Sequence, residues 1–310
     1  MNKRVTKTGI AVMAGWLMLC PVTAGAQAAD LNMDPEYLKA KAGQGNVHAQ
    51  YNLGLLYLNG LGVEQDISAA EEWFQKAADQ DDIEAQMQLG YLYDVGQGVK
   101  QSDAQAFYWY RQAAKQDEAD AMINLGQIYL DGRGVSADPE QACNWFEKAA
   151  DLGNAHGQYL LGECLLDGNG RKRDPQAAAD WFRRAAEQDD AIAQGRMGYL
   201  YEQGIGVAVD PARAIDWYRR AARQGEPQSQ FNLGVMLSEG RGVSRDDTAA
   251  VKWFRRAAEL QDANAQYALA GFYFEGRGVE IDRQAGMKWL RRAAEQEFAP
   301  ARRMLKRIQE

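Results

Sequence analysis

Seven tryptophans, Trp73, Trp109, Trp145, Trp181, Trp217, Trp253 and Trp289, fall at a constant step of 36 residues. A fixed period of this length marks a tandem array, in which each copy is one supersecondary unit that buries its apolar face against its neighbours. Other columns keep the same step. Ala-Ala recurs in every copy from Ala77-Ala78 to Ala293-Ala294. Leu-Gly runs from Leu53-Gly54 to Leu233-Gly234, with Met197 in place of one leucine, and Leu269-Ala270 closes the series. Gly-x-Gly runs from Gly60/Gly62 to Gly276/Gly278 and is followed by Val in every copy except the fourth, which has Arg171.

Each copy reads as two helices. The first, near Val47 to Leu58, carries Ala49, Leu53, Leu56 and Tyr57 on one amphipathic stripe. Gly-x-Gly ends it, because a helix terminus calls for positive φ, which glycine adopts without steric strain. The second helix opens at Asp66, Ser102, Asp138, Asp174, Asp210, Asp246 or Asp282, each able to accept from the orphan N–H groups of the first turn. Pro139, Pro175 and Pro211 follow directly, at the helical position where proline is favourable. The expected fold is all-α: a right-handed superhelical solenoid of about seven 36-residue helix-turn-helix repeats with capping helices. Seven repeats are expected over residues 46–297, a half-repeat cap over 27–45 (Tyr37 and Ala42 continue the second-helix columns), and a capping helix over 298–310 (Ala301 and Leu305 continue the first-helix columns).

The pattern Ala-x-x-x-Leu-Gly-x-x-Tyr-x-x-Gly-x-Gly-Val, an Asp, then Ala-x-x-Trp-Phe/Tyr-x-x-Ala-Ala resembles the Sel1-like repeat, over about residues 37–308. That family is similar to tetratricopeptide repeats in fold. The resemblance implies an adaptor or scaffold surface, and its bacterial members are often exported and touch signalling, polysaccharide secretion or host contact. It names no partner.

Residues 1–26 have the three parts of a secretory signal: basic Lys3, Arg4 and Lys7, an uncharged and mostly apolar run from Gly9 to Val22, and Ala24-Gly25-Ala26 as a cleavage site. Ala26-Gln27-Ala28 offers a second site. The apolar run is too short to span a bilayer. Leu19 and Pro21 around Cys20 disfavour a lipidated cysteine. A periplasmic or secreted protein with no transmembrane segment is expected.

The chain is 46% hydrophobic, too apolar for a disordered polymer, and its net charge is −8, a poor match for nucleic-acid phosphates. Three cysteines and two histidines leave little for a metal centre, and no metal or cofactor is expected. His48 and His156 share one column but lie three repeats apart, at about 10 Å per helix layer. Gly-x-Gly lacks the preceding strand and third glycine of a phosphate-binding loop. No histidine completes a catalytic triad, so a non-enzymatic protein is expected. A carboxylate pair working as a wall hydrolase is the third-ranked reading. The tryptophans, packed beside small alanines, read as inter-helix core rather than as a sugar platform.

Cys143 and Cys164 lie symmetrically about the Gly153-Asn154 turn, level in an antiparallel hairpin, and form a candidate disulfide in an oxidising compartment. Charge divides along the chain. Residues 27–170 hold 8 basic and 23 acidic side chains, residues 171–310 hold 24 and 20. Much of that basic excess is the doublets Arg183-Arg184, Arg219-Arg220, Arg255-Arg256 and Arg291-Arg292, whose stems can cover apolar surface near helix C-termini.

On the first helices the stripe through His48, Asn52, Leu55 and Asn59 varies freely from copy to copy while its neighbours stay apolar or constant. Its polar and aromatic members, Asn52, Gln88, Tyr91, Asn124, Gln127, Glu163, Arg196, Tyr199 and Asn232, are the candidate partner-binding residues. By analogy with tetratricopeptide arrays, the stripe lines a concave face. The expected function is a protein-interaction scaffold of the cell envelope. The alternative is a glycan-binding accessory protein of polysaccharide export or cell-wall synthesis, which clustered exposed aromatics such as Tyr91 and Tyr199 would favour.

Overall fold

The computed structural model describes residues 34–309. The signal segment expected over 1–26 lies outside them. Helices make up 72% of the described residues, sixteen in all, and no strand occurs among them. The first helices of the seven repeats are α2 (Val47–Asn59), α4 (Ile83–Val95), α6 (Ala119–Asp131), α8 (Ala155–Asp167), α10 (Ala191–Gln203), α12 (Pro227–Glu239) and α14 (Ala263–Glu275). The second helices are α3 (Ile67–Ala78), α5 (Asp103–Ala114), α7 (Pro139–Asp151), α9 (Pro175–Glu187), α11 (Pro211–Arg223), α13 (Asp247–Glu259) and α15 (Arg283–Glu295). One further helix flanks each end, α1 (Pro35–Gly43) and α16 (Ala299–Gln309). The chain divides into two compact units at Trp145/Phe146, inside α7, and within each unit every helix packs on the next in sequence.

The helix boundaries follow from local chemistry. Every expected cap of a second helix accepts a backbone N–H three residues on, from Ala69→Asp66 at 3.0 Å to Ala285→Asp282 at 2.9 Å. Every first helix ends on a glycine in the left-handed region, Gly60 at φ 67° being typical. The second glycine of the motif has another reason to be bare. Gly206 lies so close to the Pro175 carbonyl that any Cβ would overlap it.

The core is built on the residue after each tryptophan. Phe74, Tyr110, Phe146, Phe182, Tyr218 and Phe254 are fully buried. A Cβ on Gly54 would come within 2.6 Å of the Phe74 ring, and Gly90, Gly162, Gly198 and Gly234 face Tyr110, Phe182, Tyr218 and Phe254 in the same way. The glycine of Leu-Gly is therefore the seat of a ring. In the last repeat Ala270 replaces the glycine and Leu290 replaces the aromatic, so seat and ring change together.

The expectation that all seven tryptophans are core requires correction. Trp109 and Trp289 are buried, whereas Trp73, Trp145, Trp181, Trp217 and Trp253 are half-buried. A cation three residues on lies over the ring along the array: Lys76 over Trp73 at 3.7 Å, and Arg184, Arg220, Arg256 and Arg292 over Trp181, Trp217, Trp253 and Trp289 at 4.4–4.8 Å. The second arginine of each doublet is thus a lid on the indole, and its stem covers apolar surface as expected. The first arginine pairs back to Asp180 or Asp216 in the two copies built on Arg183 and Arg219.

A buried glutamine threads the repeats together. In α2, α4, α8, α10, α12 and α14 the Nε2 of Gln50, Gln86, Gln158, Gln194, Gln230 and Gln266 donates to the carbonyl of the alanine eight residues earlier, at 3.1–3.4 Å. In five of these the Oε1 accepts from a glutamine thirty residues later: Gln80, Gln116, Gln188, Gln224 or Gln296. Leu260 stands in the later column opposite Gln230, whose Oε1 is buried without a partner.

Candidate functional site

The variable stripe is shallower than a solvated face. All its candidate residues are half-buried except Tyr199, which is 39% exposed. In the first unit Asn52, Gln88 with Tyr91, and Asn124 with Gln127 sit on α2, α4 and α6. Gln127 donates to Asp131 at 3.0 Å, while Gln88 Oε1 and Asn124 Nδ2 are buried and unpartnered.

In the second unit the candidates converge. Arg196, Tyr199 and Asn232 line one surface cleft of about 530 Å³ with Tyr159, Ile192, Gly195, Glu202, Gln203, Glu226, Gln228 and Ser229, all from α8, α10, α12 and the turn before α12. Beside it Glu163 on α8 forms an ion pair with Arg196 on α10. Arg196 also bonds the Tyr159 side chain, and its guanidinium lies 6.0 Å from the Phe182 ring centroid. Burial pushes the Glu163 carboxyl above its usual range, with Arg196 pulling the other way, and burial likewise raises the Tyr159 hydroxyl. On the opposite side Glu202 accepts from Tyr218 at 2.7 Å and pairs with Arg241. The Tyr218 hydroxyl is pushed far up by burial first and by Glu202 second.

The floor of this cleft consists of exceptions. The column of Tyr51 reads Tyr51, Met87, Ile123, Tyr159, Gly195, Phe231, Tyr267, so Gly195 alone lacks a large side chain. The column of Ala49 reads Ala49, Ala85, Ala121, Gly157, Ala193, Ser229, Ala265, so Ser229 alone carries a hydroxyl. A Cβ on Gly195 would stand 2.6 Å from Ser229 Oγ and 3.4 Å from Glu226 Oε2. Sequence reasoning passes over both columns because they are apolar or small throughout. The signal lies in the single copy that departs from each.

No group of three or more His, Cys, Asp and Glu side chains stands in a metal-holding arrangement among the described residues. His48 is exposed, and His156 stacks on Tyr159 at 5.9 Å. Cys143 and Cys164 are buried, and neither is a free thiol. Three carboxyls are raised by burial, and each one serves the fold, since Glu118 and Asp262 cap helices and Glu163 holds Arg196. The exposed aromatics Tyr37, Tyr108 and Tyr199 sit on three separate helices, α1, α5 and α10. No helix among the described residues is long and apolar enough to cross a membrane.

Tandem helix pairs with a constant core and a variable first-helix face define a repeat solenoid of the protein-binding class. The chain belongs to the Sel1 repeat family: its seven repeats match the Sel1 repeat model at residues 47–82, 83–118, 119–154, 155–190, 191–226, 227–262 and 263–298. Two solved structures are similar over most of it. One is a protective antigen present in uropathogenic Escherichia coli strains that displays an SLR fold, with 34% identity and a TM-score of 0.82 over 88% of this chain. This chain spans only 58% of that antigen. The other is a Sel1 repeat protein from Oxalobacter formigenes, with 33% identity and a TM-score of 0.78 over 88% of this chain and 79% of that one. No curated protein matches the chain significantly. Sel1 repeats generally build protein-interaction scaffolds and are typically non-enzymatic.

Proposed function

We propose that this chain is an exported adaptor of the cell envelope that holds a protein partner on the first-helix face of its second unit. One observation carries the reading. The freely varying residues Arg196, Tyr199 and Asn232 are brought to one cleft by a scaffold whose core columns, those of Ala49, Leu53, Gly54 and Leu56, stay apolar or small. Tyrosine and arginine are the residue types that dominate interface energetics, and a recess flanked by them suits an anchor from a partner. The export signal read over residues 1–26 supports the compartment. Cys143 and Cys164 pair with each other in this reading, as a stable disulfide belongs to an oxidising space.

Replacing Arg196 would strand the half-buried Glu163 carboxylate, so the clean probe is Tyr199→Ala. The partner is captured by cross-linking in the native envelope and its affinity for the purified variant is then measured. Tyr199→Ala weakens binding by about 2 kcal/mol, roughly thirtyfold. The control pair Arg219→Ala and Arg220→Ala, on α11, leaves it intact. Loss in the control with retention in Tyr199→Ala overturns the assignment of the face.

A further inference from the structure

We infer that the notch at Gly195, floored by Ser229 within this cleft, is a specificity pocket for a basic side chain, an arginine or lysine, of the bound partner. The inference rests on the scaffold reading above and names the chemistry of its contact.

The notch is an absence that the repeat pattern makes measurable. Gly195 faces Ser229, 34 places later, and the same two columns elsewhere in the second unit hold Tyr159 and Ala193, Phe231 and Ala265, and Tyr267 and Ala301. Only one pair substitutes glycine and serine for a large side chain and alanine. Both changes act on the same spot, one removing bulk and the other supplying a polar group. The serine is 1% exposed and its Oγ has no hydrogen-bond partner. A buried hydroxyl without a partner is disfavoured in a finished structure, where such groups are almost always satisfied. Here it adjoins the one glycine of the Tyr51 column.

The surrounding charge selects the occupant. Arg196 is neutralised by Glu163, and Glu202 is held by Arg241. Glu226 is left, with one carboxylate oxygen at the mouth of the notch. It caps α12 by accepting the backbone N–H groups of Gln228 and Ser229, and a carboxylate has capacity beyond two such bonds. The neighbouring caps Asp190 and Asp262 add negative potential, the first acting on Tyr159 and the second coupled to Glu226. Tyr159 and Tyr199 line the same cleft and offer aromatic faces, which attract cations. A guanidinium or ammonium group would place its donors on Glu226, beside the Ser229 hydroxyl, and its stem against Ile192, which is 48% exposed. A carboxylate or a purely aliphatic tip satisfies neither the hydroxyl nor the charge.

The test uses the full mature chain and three blocked tripeptides, Gly-Arg-Gly, Gly-Glu-Gly and Gly-Leu-Gly, acetylated and amidated at the ends. Binding is read from the amide resonances of Gly195, Ser229 and Gln228. The arginine peptide gives saturable millimolar shifts there, at least about tenfold tighter than the other two. The double variant Gly195→Tyr with Ser229→Ala restores the pairing of Tyr159 with Ala193, so it folds with an unchanged dichroism spectrum and a thermal midpoint at or above that of the parent chain. It loses the arginine-specific shifts. Equal shifts from all three peptides, no saturable shift in the parent chain, or shifts that persist in the double variant overturn the pocket. If the pocket fails while Tyr199→Ala still releases the partner, the scaffold reading stands without it. If the arginine peptide binds but the partner ignores Tyr199→Ala, the pocket stands and the partner's face lies elsewhere.

Discussion

A tryptophan and the phenylalanine that follows it occupy very different depths on α9. Phe182 is fully buried against the bare backbone of Gly162, while Trp181 is half-buried beneath Arg184. Phe182→Ala is expected to cost about 3–5 kcal/mol, as a core aromatic truncation does. Trp181→Ala is expected to cost less, under about 2 kcal/mol, because the side chain is only partly buried and its ring lies under Arg184. Chemical denaturation of both variants checks the order, and a Trp181 loss equal to that of Phe182 contradicts it. The step of 36 residues located both columns but could not rank them, since adjacent positions on a short helix are separated in depth only by what packs on them. Tryptophan is large and often incompletely buried, so its regularity signalled the repeat more faithfully than the core. Asp247 offers a second test at this scale. The hydrogen bond from Arg245, aided by Arg277, holds its carboxyl below the usual carboxylate range. A lowered folded value means that the ionised form stabilises the fold above the ordinary range, and this contribution is lost as pH falls through the lowered value. Asp247→Asn should therefore be less stable at neutral pH and show a flatter decline below about pH 4.

Between helices, the buried glutamines account for a column that was visible without being interpretable. Gln50 and its equivalents stood out as nearly constant, but their partners lie eight residues back on the preceding helix and thirty residues on in the turn after the next one, beyond any helical periodicity. The two ends of the lock also vary together in sequence: Met122 and Leu152, both apolar, fill the two columns of the third repeat. The sixth repeat keeps only half, with Gln230 retained and Leu260 opposite, 51% exposed. Leu260→Gln should complete this lock, satisfy the orphaned Gln230 Oε1 and raise stability by about 1 kcal/mol. Thermal unfolding measures it, and an unchanged or lower midpoint would show that Gln230 is satisfied in another way. The helix boundaries themselves were legible, because caps and left-handed glycines are local chemistry. The Gly195 notch was not, since it depends on two exceptions 34 residues apart that meet only in the folded unit.

Over the whole chain, the repeat class, the helix content and the family were readable because seven copies repeat the same statement. A far-ultraviolet dichroism spectrum should show at least about two-thirds helix and no strand, in line with the repeat architecture. Compartment and bridging need the native protein. N-terminal sequencing is expected to begin at Gln27 or Ala29, and the non-reduced mass to fall two hydrogens short of that of the free dithiol. Met1 at the start of the accumulated protein, or two freely alkylated thiols, would contradict export and the bridge respectively. The charge contrast between residues 27–170 and 171–310 is explained locally in the second part, where arginines lie over tryptophans and pair with aspartates.

The direction of the glutamine locks has a consequence for time as well as for stability. Each lock is closed by chain that precedes it and by the turn that ends the repeat's own second helix: Gln194 reaches back to Ala186 and is answered by Gln224, the residue after α11. No lock waits for a later repeat. A chain threaded through a narrow export channel amino end first can therefore close each lock as its repeat emerges. Held partway through the channel, the emerged portion would already contain every polar partner its own locks require.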